Sequence, residues 1–422
     1  MLSISRIRNN PDAIQLAVAA KGEHVNIKSL LDIDAQHREI LTEVNDLRAE
    51  RNRVSEEIAN VKRSGGDANH AILSMREMGE KIDKLEDKAG SYKTQIQSAL
   101  EVIPNIPHES VPKGKDEKDN KIVKVWGEKP EFDYELKDHL ELGLILNLLD
   151  FERSAKIAGS AFPLYMGLGA KLERALINFM LDFHVREHGY TEVFPPFLAK
   201  AAALYTCGQL PKFAEDMYHT EKDQLYLIPT AEVPVTNIHA DEILDEDKMP
   251  INYSAYSACF RREAGSYGKE NRGLLRVHQF NKVEMVKFVK PETSYDELEN
   301  LLANAEAILQ SFGLHYRVLE LCTGDLSFSA AKCYDLEVWS PAENQWLEVS
   351  SCSNFEDFQA RRGNIRYRRS KDNKTDYVHT LNGSGVATPR LMIALLETYQ
   401  TPDGKVIVPK CLQPYMDIEV IG

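Results

Sequence analysis

The sequence has no two cysteines in a CxxC spacing; its six, at positions 207, 259, 322, 333, 352 and 411, are scattered. That argues against a zinc knuckle and against a disulfide framework, and it suits a reducing cytosol, so a cytoplasmic location is expected. No apolar run approaches the ~18 residues that cross a bilayer, so no membrane association is expected. The opening stretch, MLSISRIRNNPDA, lacks an apolar core and a small-residue cleavage site, and no secretory signal is expected. There is no GxxxxGK[ST] phosphate loop, and Met166-Gly167-Leu168-Gly169 lacks the third glycine of a dinucleotide fingerprint. A nucleotide therefore has to be held by some other device. Low-complexity tracts are also absent, and 43% hydrophobic with 27% charged residues over 422 positions indicates a globular chain of two or three domains. The net charge of -14 opposes nucleic acid as a partner of the whole chain, but Arg48, Arg51, Arg53, Lys62 and Arg63 crowd into residues 48–63 beside only Glu50, Glu56 and Glu57. A locally basic element on an acidic protein still meets phosphate.

The N-terminal third reads as helix. Asn10-Pro11 opens a short first helix, with proline in its first turn. From Leu30 a heptad row runs through Ile33, Ile40, Leu47, Val54 and Val61, with Val44 and Ile58 in the companion seam and His37 and Arg51 interrupting it. SGGDAN (64–69) is a turn by composition. A second helix carries Met75, Ile82, Ala89, Ile96 and Ile103 in one row and Met78, Leu85, Tyr92 and Ala99 in the other. Two heptad stretches joined by Gly-Gly predict an antiparallel two-helix coiled coil, an arm on the order of 50 Å long over residues 1–103. By itself such an arm reads first as an oligomerisation or spacer device. Pro104, Pro107 and Pro112, then KGKDEKDNK, predict a solvated linker over 104–121.

Residues 122–422 predict an α+β domain. Leu172, Ala175, Leu176, Phe179, Met180 and Phe183 share a helical face that Gly189 ends. A second helix is expected over about 294–312 and a last one after Pro389. Between them, TEVFPPF, QLYLIPTAEVPV, INYSAYSACF, HQFNKVEMVKFV, HYRVLEL, CYDLEVWSP and NQWLEVSSCSN read as strands of a mainly antiparallel sheet with flanking helices. The pair INYSAYSACF and HQFNKVEMVKFV forms a hairpin with a charged tip at 264–275. Arg261 and Glu263, two apart on a strand, are expected on one sheet face, and Phe280 and Glu284 share a face of the return strand. Arginine, carboxylates and an aromatic make poor core. They make a good platform for a nucleotide and an amino acid, because guanidinium forks onto phosphate or carboxylate and the ring stacks on a base.

These residues carry a resemblance. FRREAG…GLLRVHQFNKVE (260–284) resembles motif 2 of the class II aminoacyl-tRNA synthetases, GSGVATPRLMIALLE (383–397) motif 3, and EHGYTEVFPPFL (187–198), marked by Pro196, motif 1. CGQLPKF (207–213), PTAEVP (229–234) and DLSFSAAKCYDLEVWSP (325–341) resemble the seryl-tRNA synthetase family of the common bacterial type over essentially the whole chain, arm included. The fold this implies is a helical tRNA-binding arm followed by a class II catalytic domain. The implied activity is activation of L-serine by ATP to seryl-adenylate, then transfer to serine tRNA.

By that resemblance Arg261 and Arg390 are the catalytic residues. Arg261 holds the α-phosphate and the serine carboxylate, Glu263 accepts from the adenine amino group, and Phe280 and Arg390 flank the base. Arg262, Val277, Val349 and Ser350 complete the ATP-binding set, and Glu348 with Ser351 presents Mg²⁺, an ion suited to oxygen ligands. Thr230 and Glu232 take the serine α-amino group, Glu284 and Ser384 its hydroxyl, and Ala231 and Asn382 complete that pocket. A Glu284 left unpaired by alanine should reject it strongly. Gly383 and Gly385, in a glycine-rich loop, should let the backbone approach a ligand. The family further implies a homodimer through motif 1, an arm that crosses it to grip the long variable arm of the tRNA, selenocysteine tRNA as a second acceptor, and a hairpin tip that meets the acceptor end. The chain ends soon after motif 3, which leaves no room for a C-terminal anticodon-binding domain. Arg262 and Cys207 depart from the common family residues, at positions with no named catalytic role. Two other classes stay open. One is an offshoot that loads a carrier protein, against which the arm speaks; the other is a nucleic-acid-binding scaffold, against which the retained charges speak.

Overall fold

The computed structural model describes residues 1–263 and 272–422. The chain divides into two units, one of Leu2–Ala19 with Glu23–Pro104 and one of Met1, Ala20–Gly22 and Asn105–Gly422. In the first, Ser3 caps a helix the sequence did not suggest, α1 (Ile4–Asn9), by accepting from the Arg6 amide. Proline opens α2 (Pro11–Ala20), and Asn26 caps α3 (Ile27–Arg63), 37 residues long. Gly65, at φ +77°, turns the chain into α4 (Asn69–Glu101), of 33 residues. Ile40, Val44, Ile82 and Ala89 form the buried seam, flanked by Leu47, Met78, Leu85 and Tyr92. The pair is the antiparallel coiled coil that the heptads predict. Its seam thins towards the turn, where Val61 and Leu73 are exposed. Heptad reasoning missed Asp34, which is buried and clamped by Arg8 Nε at 2.7 Å and Nη2 at 2.8 Å and by Arg38 Nε at 3.2 Å.

The second unit is built on eight strands, β1 (Lys121–Trp126), β2 (Thr191–Glu192), β3 (Ile251–Phe260), β4 (Gln279–Val289), β5 (Tyr316–Glu320), β6 (Lys332–Ser340), β7 (Gln345–Asn354) and β8 (His379–Ala387). Their order is β1-β5-β6-β7-β8-β4-β3-β2, antiparallel throughout except for the short edge strand β2, which runs parallel to β3. Four helices of this unit contribute to its main core: α5 (His139–Ile145), α6 (Gly167–His188), α7 (Ser294–Ser311) and α8 (Thr388–Thr398). Gly189, at φ +69°, ends α6 in the left-handed conformation. Alternation along β4 sorts the sheet's two faces. Val283 and Met285 enter the main core beside Leu176 and Met180 of α6, Leu301 and Ile308 of α7, and Leu391 and Leu395 of α8. Phe280, Lys282 and Glu284 face the other way.

Four expectations need correcting. The segment from Pro104 to Val111 is not solvated: Asn105 is fully buried, its amide donating to the carbonyls of Ser329 (3.0 Å) and Phe355 (2.7 Å), and only the charged run after it is exposed. TAEVPV is not strand, because β pairing ends at Leu227 and Glu232–Thr236 is helical, with Pro234 in the first turn where no amide is needed. TEVFPPF contributes only Thr191–Glu192, since Pro195-Pro196 cannot continue a ladder. The GSG of 383–385 is no loop; it lies inside β8. A Cβ on Gly383 would sit 2.7 Å from Cys352 Sγ, and one on Gly385 2.3 Å from His184 Nε2. Those glycines admit core neighbours rather than a ligand.

Candidate active site

A cavity of about 470 Å³ opens on the face of β4 that carries Phe280, Lys282 and Glu284. Its wall also takes Thr230 and Glu232, Arg261 and Glu263, Val277, Glu348 to Ser351, Asn382 and Ser384, and Arg390. These residues come from six separate stretches of chain. Two of the expected residues stand apart. Ala231 is fully buried in a core cluster with Val235 and Phe288, and the Arg262 guanidinium lies 5.8 Å over the Tyr218 ring. The hairpin tip lies outside the described residues from 264 to 271.

The expected alternation of Arg261 and Glu263 does not hold, because β3 stops at Phe260 and Glu263 adopts φ +53°. The turn still brings both to the cavity. Arg261 lies over the Phe280 ring at 5.2 Å and its Nε donates to the Pro229 carbonyl at 3.4 Å. Glu263 pairs with Arg276, a cavity residue that motif reading passed over. Arg390, at the start of α8, donates from Nε to the Leu275 carbonyl (3.1 Å) and from Nη1 to the Glu348 carbonyl (3.0 Å).

At the closed end, Glu284 is 2% exposed, stands opposite Ser384 in the β4–β8 register, and accepts from Thr230 Oγ1 at 2.6 Å. Its counter-ion is Lys282, itself buried. Lys282 was also missed, although its place between Phe280 and Glu284 in the alternation signals it. Beside this pair, Glu232 accepts from Gln359 Nε2 at 2.6 Å, and burial, then the Glu284 charge, pushes its carboxyl up to about 7. The pocket thus holds two buried carboxylates and one ammonium, an imbalance that a ligand's cation would offset.

Glu348 and Ser351 are three apart and would fall on opposite faces of a regular strand. The β6–β7 register skips Val349, pairing Glu337 with Glu348 and Leu336 with Ser350. That bulge puts Leu347, Val349 and Cys352 into the core and turns Glu348 and Ser351 together to the cavity. Across the strand from Ser351 is Asp335, whose carboxyl is pushed well up by burial and then by the Glu348 charge. An all-oxygen donor set with a buried acidic group behind it fits a hard divalent cation.

An antiparallel sheet walled by helices, with an arginine on each side of a cleft holding carboxylates, defines a class II aminoacyl-tRNA synthetase. A model of the tRNA synthetase class II core domain (G, H, P, S and T) matches residues 212–399, and one of the seryl-tRNA synthetase N-terminal domain matches residues 1–107. The chain is 56% identical to a serine–tRNA ligase of Chloroherpeton thalassium over 100% of both chains, and 54% identical to one of Syntrophobacter fumaroxidans over 99% and 98%. It superposes on the crystal structure of seryl-tRNA synthetase from Pyrococcus horikoshii complexed with ATP at a TM-score of 0.95, with 39% identity, covering 100% of this chain and 99% of that one. A cytoplasmic serine–tRNA ligase of Naegleria fowleri in complex with AMP matches at a TM-score of 0.90 and 28% identity, over 100% and 98%. The chain belongs to the seryl-tRNA synthetase family.

Proposed function

We propose that this protein activates L-serine with ATP to seryl-adenylate, releasing pyrophosphate, and transfers the seryl group to the 3′ end of serine tRNA. The observation that carries the reading is the meeting of Arg261, Glu284, Thr230, Glu232, Ser384, Glu348 and Arg390 in one cavity. ATP in one neighbouring structure and AMP in another support the nucleotide half of that cavity.

The serine α-ammonium enters between Glu232 and Thr230, and its hydroxyl meets Glu284 and Ser384. Its carboxylate turns to Arg261. The carboxylate oxygen attacks the α-phosphorus in line as the bond to pyrophosphate breaks, and the Arg261 guanidinium neutralises both partners of the attack. Adenine enters where Arg261 now covers Phe280, with Glu263 accepting from its amino group, Arg390 on the far face, and Val277, Val349 and Ser350 around it. Mg²⁺ bound by Glu348 and Ser351 would neutralise phosphate charge. In the second step a hydroxyl at the tRNA end attacks the seryl carbonyl and AMP leaves.

Lys282 and Thr230 already satisfy Glu284, so alanine does not strand a bare carboxylate. Rejection of alanine then rests on one charged hydrogen bond, about 1.5–3 kcal/mol, less than a stranded charge would supply. The arm is assigned to the tRNA's long variable arm, with selenocysteine tRNA as a second acceptor. Among the described residues no helix is long and apolar enough to cross a membrane, and we place the reaction in the cytoplasm. A homodimer through motif 1 is supported by Phe194, which is 74% exposed and lies 6.1 Å from the Tyr256 ring.

The test is ATP–pyrophosphate exchange without tRNA, using serine, threonine, alanine or glycine, followed by charging of serine tRNA with and without its variable arm. Serine-dependent, Mg²⁺-requiring exchange is expected. Absence of exchange with all four would favour the scaffold, and preference for another amino acid would overturn the substrate.

A further inference from the structure

Behind the cavity, on the core side of α8, His139, Glu343 and Glu397 bring one ring nitrogen and two carboxylate oxygens within 4.8 Å of one another. His139 and Glu397 are fully buried. His139 Nδ1 lies 3.4 Å from Glu343 Oε1 and 3.6 Å from Glu397 Oε1, and among the described residues Nδ1 and Glu343 Oε1 have no hydrogen-bond partner. Such a cluster resembles a metal site, but the other ring nitrogen decides against one. The Leu274 amide donates to His139 Nε2 at 3.2 Å, so the neutral ring carries its proton on Nδ1, and a protonated nitrogen does not ligate. The two carboxylates instead face that proton at 3.4 and 3.6 Å, without a hydrogen bond to it.

What the ring holds is the return of motif 2. Arg272 pairs with Asp138, the residue before His139, and Gly273, at φ +57°, passes so close that a Cβ there would sit 2.2 Å from His139 Nε2. Two residues beyond Gly273, the carbonyl of Leu275 accepts from Arg390 Nε at 3.1 Å. Glu397, on the same helix as Arg390, accepts from the His139 amide at 3.3 Å and from the Ala342 amide at 3.1 Å, and also from the Ser340 hydroxyl. Ala342 lies in the turn between β6 and β7, the strand of Glu348. One buried imidazole–carboxylate node therefore ties together the three segments that present Arg390, Val277 and Glu348.

We propose that His139 is a positioning residue of the nucleotide site, setting through the Leu274 amide the carbonyl that fixes the Arg390 guanidinium. This rests on the assignment of Arg390 to ATP. Among the described residues the node makes no hydrogen bond to Thr230, Glu232, Glu284 or Ser384, so the two substrates should separate.

The experiment is serine-dependent ATP–pyrophosphate exchange by the full chain, with KM measured for each substrate. His139→Leu removes the acceptor and should raise KM for ATP roughly three- to tenfold, the effect of one lost hydrogen bond, with KM for serine changed less than twofold. His139→Gln, which returns an acceptor oxygen, should recover most of that loss. Should His139→Leu fail to fold, Gly273→Ala displaces the same backbone with His139 intact and should raise KM for ATP alike. Equal rises for both substrates, no rescue by Gln, or an unchanged KM for ATP in both His139→Leu and Gly273→Ala would overturn the role. A wild-type chain without serine-dependent exchange would fail the functional reading itself, and the positioning role with it.

Discussion

Glu232 offers the sharpest test of the serine pocket. Burial and the neighbouring Glu284 charge hold its carboxyl near 7 in the free protein, so about half of the molecules carry it ionised at pH 7 and about a tenth at pH 6. In the role proposed for Glu232, a serine ammonium binds the ionised form, which pulls the carboxyl pKa down in the complex and releases a proton on binding below pH 7. The sign follows: serine affinity rises with pH through 7. KM for serine in ATP–pyrophosphate exchange should fall about fivefold from pH 6 to 7 and about twofold more from 7 to 8, with KM for ATP nearly level. Glu232→Gln keeps the shape and the partner Gln359 but removes the charge. It should raise KM for serine at pH 8 by roughly 10- to 100-fold, the ~1.5–3 kcal/mol of a charge-assisted hydrogen bond, and flatten the profile. A Glu232→Gln enzyme that keeps the fivefold slope would refute the reasoning, because another group would then own the titration.

Lys282→Met should cost about 3–5 kcal/mol in a urea titration, since it leaves Glu284 buried without its counter-ion, whereas Lys282→Met with Glu284→Leu should recover most of that loss. A single variant as stable as wild type would show that the pair carries no such penalty. Ile82→Ala in the arm seam, where Ile82 is 2% exposed, should lose about 2–5 kcal/mol locally and speed amide exchange along α3 and α4. It should leave serine-dependent pyrophosphate exchange without tRNA within twofold of wild type and lower tRNA charging. Loss of both activities together would sink the assignment of the arm to tRNA alone.

The helical arm was legible because its signal is local and repeated: a heptad row and a Gly-Gly turn need no knowledge of the rest of the chain. The same holds for the β3–β4 hairpin and for α6, ended by Gly189. Cavity residues were legible through motif order. Alternation placed Phe280 and Glu284 correctly and could have placed Lys282. It failed for Glu263, where the strand had ended, and for Glu348 and Ser351, which only a bulge at Val349 aligns. No residue in LEVSSCSN marks that bulge. It shows only in the pairing with the facing strand, where Glu337 and Leu336 stand opposite Glu348 and Ser350.

The sequence by itself determined the periodic elements, their order, and which charged groups are candidates for the site, because each depends on neighbours a few residues away. Tertiary structure alone decided what each of those groups faces. Glu284 meets Lys282 and Thr230, Gly385 makes way for His184, Asn105 seals the supposed linker, and His139 reaches Leu274. Such pairings are set by packing between segments tens to hundreds of residues apart, and a buried charge or donor takes whichever partner the fold delivers.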